Sequence, residues 1–136
     1  MIIFFIFENI IHPFLKEETM SESRLTNLTY LREITGGEPE IMKEFIQMFF
    51  DQIPEFRNGL TKHLADQKWK ELGELAHKAK SSVMTFGMNN LGYQLKELQL
   101  KTQKLEDIDS YRKYVDNFIA EITQAENELN DDLSKM

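Results

Sequence analysis

Residues 69–86 read Trp69-Lys70-Glu71-Leu72-Gly73-Glu74-Leu75-Ala76-His77-Lys78-Ala79-Lys80-Ser81-Ser82-Val83-Met84-Thr85-Phe86. Trp69, Leu72, Ala76, Ala79, Val83 and Phe86 are spaced 3, 4, 3, 4, 3, which draws one apolar stripe along a helix. His77 points roughly 130° away from the centre of that stripe, toward water. Lys80, Ser81 and Met84 follow it at i+3, i+4 and i+7 and share its side of the helix. Gly87 stops the pattern, and Asp66-Gln67 makes a corner before it.

The same period continues on both sides of this helix. Upstream, Glu38-Pro39-Glu40 opens a helix with proline in the first turn and acids at the positive end of the dipole. Ile41, Met42, Phe45, Ile46, Met48, Phe49 and Ile53 are expected on its buried face. Pro54 is expected to kink or restart it, with Phe56, Leu60 and Leu64 carrying it to about Ala65. Before that, Leu25, Leu28, Leu31 and Ile34 suggest a short helix closed by Gly36-Gly37. Downstream, Asn89-Asn90 can cap a helix with Leu91, Leu95, Leu98 and Leu105 on one line and Thr102 in the remaining position. Asp107 to Ser110 supplies a turn and an N-cap. Tyr111, Val115, Phe118, Ile122, Ala125 and Leu129 then repeat at 4, 3, 4, 3, 4. Residues 130–136 are polar and are expected to fray. Nothing alternates like a strand, and short loops join antiparallel neighbours. The expected fold class is all-α, an antiparallel up-down four-helix bundle with a short additional N-terminal helix.

The chain has 136 residues, enough for one domain with a core. Apolar residues make up 41% and charged residues 29%, which argues against disorder. A net charge of −7 disfavours nucleic acid as the main partner. The absence of cysteine excludes disulfides and thiolate-bound metals and is compatible with a reducing compartment, so a cytoplasmic location is expected. Residues 1–19 stand apart from the rest. Their apolar run, Met1 to Phe7, is broken by Glu8, Asn9, His12 and Pro13, too short to span a bilayer and without the flanks of a secretory signal. Three readings stay open: a membrane-touching or docking segment, a helix packed on the bundle, or sequence upstream of a natural start at Met20. The domain expected from these observations spans residues 20–136.

Enzyme signatures are missing: no phosphate-cradling Gly-Lys-Ser/Thr loop, no GxGxxG, no HExxH and no Gly-x-Ser-x-Gly elbow. The three histidines are dispersed, with no helical metal-binding pair, and His63 reads as surface. His77 is left as the candidate reactive group. An exposed imidazole is largely neutral and nucleophilic near pH 7. It can take a phosphoryl group and pass it on if a cation neutralises the phosphoryl oxygens, and Lys80 on the next turn is placed to do so. Ser81 is small and leaves room for an incoming protein, and Lys78 adds local positive charge. Met84 and Met88 run along or just beyond the His77 face as adaptable docking surface, with the core edge weighing slightly more for Met88. A helical surface histidine beside a lysine is ordinarily no more than surface, so the surrounding pattern has to decide.

That pattern, Ala76-His77-x-x-Lys80-Ser81-Ser82 with Gly87 ten residues after the histidine, resembles the phospho-acceptor motif of histidine-containing phosphotransfer (HPt) domains. The usual form is Ala-His-x-Leu-Lys-Gly-Ser-Ser followed by Leu-Gly. Tyr30-Leu31, Gly36-Gly37-Glu38, Phe49, Pro54, Trp69 and Leu95 to Leu98 are similar too, so the resemblance covers about residues 25–125. It implies a phosphorelay carrier that is not itself a kinase. Its partners would be receiver domains of hybrid histidine kinases and response regulators, with Mg²⁺ held by the receiver and no cofactor on this chain. It implies His77 as the phosphorylated residue, through Nε2, and Lys80 as the phosphate-stabilising cation. Gln99, 22 residues after His77, would hydrogen-bond the imidazole or the phosphoryl group. Ser81 in place of the usual Gly and Ala79 in place of the usual Leu are departures that leave the chemistry intact. A non-catalytic helical adaptor and a purely structural bundle are the competing functions. A monomer is the expected state, because the stripes can be satisfied within one bundle.

Overall fold

The computed structural model describes residues 24–136. Among the described residues five helices follow one another: α1 (Thr29–Thr35), α2 (Pro39–Ala65), α3 (Trp69–Thr85), α4 (Asn89–Lys104) and α5 (Tyr111–Lys135), with a 3₁₀ turn at Ile108–Ser110 before the last. The described residues contain no strand. The bridges between helices fix their directions. Glu55 meets Lys78 and Gln52 meets Ser82 across α2 and α3. His77 meets Gln99 and Gly73 lies against Thr102 across α3 and α4, and Gln94 meets Asn117 and Lys101 meets Tyr111 across α4 and α5. In each pair of helices one number rises as the other falls, so neighbours are antiparallel. Arg57 on α2 reaches Glu126 on α5 and closes the four-membered ring. α1 sits across one end of it.

The core follows from a 3.5-residue average spacing. Met42, Ile46, Phe49, Ile53, Phe56 and Leu60 on α2 and Tyr111, Val115, Phe118, Ile122, Ala125 and Leu129 on α5 are all buried at alternating steps of 4 and 3. Such a seam packs long helices at a shallow angle. Phe49 stacks on Phe86 at 4.4 Å between ring centres, and Phe56 meets Phe118 edge-on at 6.5 Å. Trp69 meets Tyr111 edge-on at 5.3 Å, and the Tyr111 hydroxyl donates to the Lys101 carbonyl.

Several expectations are corrected. Ile34, Ile41, Met48 and Leu105 are exposed, Met48 by 60%. Ile41 and Met48 flank the buried Met42–Ile46–Phe49 line, from which Phe49 stacks on Phe86. Leu105 leaves its line because it terminates α4 in the left-handed conformation, φ 54°. Thr35 is buried on α1 where Ile34 is not, its hydroxyl donating to the Leu31 carbonyl. Pro54 does not restart α2, which runs as one helix from Pro39 to Ala65. Proline removes one backbone bond, and here it lies on the exposed side, where water can reach the freed carbonyl. Residues 130–135 are helical rather than frayed: Lys135 pairs with Asp131, and Asp132 binds Arg24. Met88, not Asn89, occupies the position before α4. His63 is half-buried, with Nδ1 enclosed and unpartnered among the described residues. Residues 1–19 and the boundary at Met20 lie outside the described residues.

The segment before α1 is strapped to α5. The Glu128 carboxylate accepts from the Leu25 and Thr26 amides, each at 2.9 Å, and from the Thr26 hydroxyl at 2.6 Å. Burial alone would raise the pKa of this carboxyl. The donors from Leu25, Thr26 and Gln124 outweigh it and hold the group below the ordinary carboxylate range. The Asn27 amide donates to the Phe86 carbonyl at 2.9 Å, tying the strap to the end of α3. Gly87 makes this contact possible. It has φ +77°, and a Cβ there would lie 2.6 Å from the Asn27 carbonyl oxygen.

Candidate functional site

His77 is exposed on α3, one turn after Gly73 and one turn before Ser81. Ala76 and Ala79 on either side of it are fully buried, so the helix cannot rotate the imidazole inward without expelling its own core. The ring is held from the neighbouring helix, where Gln99 Oε1 lies 3.1 Å from His77 Nδ1. An amide oxygen can only accept, so Nδ1 carries the proton. In a neutral ring that leaves the lone pair on Nε2, the nitrogen farther from the backbone. Of the two hydrogen-bond roles expected for Gln99, the geometry shows contact with the imidazole.

Lys80 is half-buried on the same side of α3, near the seam with α4. None of the ion pairs among the described residues engages it. Lys78 is different: its Nζ lies 2.8 Å from Glu55 on α2, so its charge is matched and it sits on the opposite flank from Gln99. Ser81 is exposed, whereas Ser82 turns to α2 and donates to Gln52 Oε1 at 2.8 Å. The two serines of the motif therefore do different things, one staying open beside the histidine and the other fastening α3 to α2. Met84 is half-exposed. Met88 is 3% exposed and belongs to the core rather than to a docking face, because it enters α4 pointing into the bundle.

Two shallow hollows flank the histidine. One, of about 480 Å³, is lined by Ser81, Met84, Thr85, Tyr30 and Glu33, among others, and brings α1 into the site's surroundings. The other, of about 430 Å³, is lined by Lys70, Gly73, Glu74, Gln99, Thr102 and Gln103. The sequence offered Tyr30 only as part of the family resemblance; its place beside Ser81 depends on the strap that Glu128, about a hundred positions away, holds. Among the described residues no group of three or more His, Cys, Asp or Glu side chains is gathered to hold a metal ion. No helix of the described residues is long and apolar enough to cross a membrane.

A bundle of this topology, presenting an imidazole held by Gln99 and, a turn away, a lysine that no ion pair among the described residues engages, has the parts of a phosphoryl carrier. Residues 44–134 match the family model described as Hpt domain. The chain belongs to the Hpt domain family. No curated protein and no solved structure gives a significant match. Hpt domains carry phosphoryl groups on histidine in two-component phosphorelays, interact with receiver domains and are not kinases. His77, Lys80 and Gln99 all fall inside the matched region, as do Lys78, Ser81, Met84 and Met88.

Proposed function

We propose that this Hpt domain accepts a phosphoryl group on His77 Nε2 from the phospho-aspartate of one receiver domain and returns it to the aspartate of another. The observation that carries this reading is the Gln99 contact on Nδ1, which leaves Nε2 as the free nucleophile. In the forward step the Nε2 lone pair attacks phosphorus, the N–P bond forms, and the P–O bond to the aspartate breaks, releasing the carboxylate. The proton stays on Nδ1, so the ring becomes cationic, and the hydrogen bond to the Gln99 carbonyl strengthens as it does. In reverse, an aspartate carboxylate attacks phosphorus and the imidazole leaves neutral. Lys80 supplies positive charge to the phosphoryl oxygens during transfer. Mg²⁺ belongs to the receiver side in this scheme, and this chain contributes no ligand to it.

The receiver docks over the Ser81–Met84 face and the Tyr30 side of α1, with Lys78 at the edge and its charge already matched by Glu55. Half-exposed Met84 gives this surface an adaptable apolar contact. The test is incubation with a phosphorylated receiver, following acid-labile, base-stable label. Label on the wild-type chain and none on His77→Gln is expected. Equal labelling of His77→Gln would remove His77 from its role, and complex formation without any transfer would favour an adaptor.

A further inference from the structure

We propose that Gly73 and Thr102 are positioning residues that set the separation of α3 and α4 at which Gln99 reaches His77. The inference rests on the reading of His77 as acceptor and concerns what holds its ring ready. Gly73 lies one turn before His77, and Thr102 lies one turn after Gln99, so this contact is the next rung of the same seam. A Cβ on Gly73 would overlap the Thr102 hydroxyl oxygen and stand 3.2 Å from Thr102 Cβ and 3.6 Å from the Gln99 carbonyl oxygen. Thr102 has little freedom to retreat. It is 4% exposed, and its hydroxyl donates at 2.7 Å to the backbone carbonyl of Gln99 itself. The bare backbone at Gly73 and the short branched side chain at Thr102 thus fit together against the backbone of the residue that orients the imidazole.

The opposite end of the seam is built differently. A Cβ on Gly92 would meet Met84 Cγ at 2.6 Å and Cε at 2.8 Å, atoms of a flexible side chain that can swing away. Ordinary carbon contacts need about 3.5–4 Å, so a methyl group at Gly73 has to push α4 outward by roughly 1 Å. The Nδ1···Oε1 distance of 3.1 Å then passes the limit of a useful hydrogen bond. The ring stays exposed and attached, but its tautomer is no longer fixed.

The readout is the ¹⁵N signature of the His77 ring in the full chain, recorded above the imidazole titration range, with phosphorylation by phosphoramidate as the kinetic companion. In the wild type the Nδ1–H tautomer dominates. In Gly73→Ala the ratio of Nδ1–H to Nε2–H falls by about five-fold, the worth of one neutral hydrogen bond, and phosphorylation slows by a similar factor. Gly73→Ala combined with Thr102→Ala removes the overlapping hydroxyl and returns the ratio to within about two-fold of wild type, an allowance below one hydrogen bond. Gly92→Ala, with the same gain in helix propensity, leaves the ring signature alone. A wild-type ratio in folded Gly73→Ala would overturn the proposal. If Gly73→Ala does not fold, the double variant decides: a wild-type ratio supports the proposal, and mixed tautomers overturn it. The ring signature is read without any receiver, so its failure is distinguishable from a failure of transfer to His77.

Discussion

Replacing Glu128 by alanine removes the acceptor on which the N-terminal strap depends. The carboxylate takes the Leu25 and Thr26 amides and the Thr26 hydroxyl, and its side chain is only 13% exposed. Thr26 is itself buried, so Glu128→Ala leaves two Thr26 donors without a partner. Each orphaned buried donor costs about 1–3 kcal/mol. The strap limits the total, because residues 24–28 can lift into water at the expense of burying Leu28 and part of Leu25. A net loss of about 2 kcal/mol follows, with a fall in Tm of about 8 °C for a domain of this size. Glu128→Gln keeps one carbonyl acceptor but loses the charge, so about half that loss is expected. Urea denaturation gives the stability, and hydrogen exchange at the Thr26 and Asn27 amides locates the opening. Receiver affinity should drop as well, since the strap carries α1 and Tyr30 to the hollow beside Ser81. Stability within about 0.5 kcal/mol of wild type, with unchanged protection of those amides, would refute the reasoning.

The same carboxylate sets an acid dependence. Its pKa is held below the ordinary range in the folded chain, so its stabilisation is present above the unfolded value and is lost as pH falls through the folded one. A stability–pH profile should show this acid loss in the wild type and a smaller one in Glu128→Gln. Lys80→Ala should leave the bundle folded, its stability within about 0.5 kcal/mol of wild type, while slowing transfer from a phosphorylated receiver on the order of 10–100-fold; Lys80→Arg should retain most of the rate. Gly87→Ala should destabilise by about 2–3 kcal/mol in equilibrium unfolding, since alanine pays for the left-handed backbone and its methyl meets Asn27.

Periodicity made much of the fold legible. The α5 stripe from Tyr111 to Leu129 is buried residue for residue, and α3 ends where Gly87 requires. Errors fell where periodicity has no grip. Ile41 and Met48 are apolar and adjacent to the stripe, but burial depends on whether a partner helix covers that flank. Leu105 keeps helical spacing after the helix has already turned. Met88 looked like a continuation of the His77 face, yet it lies past the turn at Gly87, where the chain has changed direction. Within the site, His77, Lys80 and Ser81 share one turn and one face, so spacing alone could group them. Gln99 came from family resemblance, and the hydrogen bond that gives it meaning spans two helices. Gly73 and Glu128 left no local signal, because each acts through contact with a residue far away in the chain, and Thr102 showed only as the polar member of the α4 line.

The most direct measurement of the central claim is the site of the phosphoryl group in the phosphorylated chain, read from ³¹P–¹⁵N couplings with ¹⁵N-labelled histidine. Coupling of phosphorus to Nε2 of His77, with the Nδ1 proton still protected, is the predicted result. Phosphorus on Nδ1, or on any residue other than His77, would contradict it.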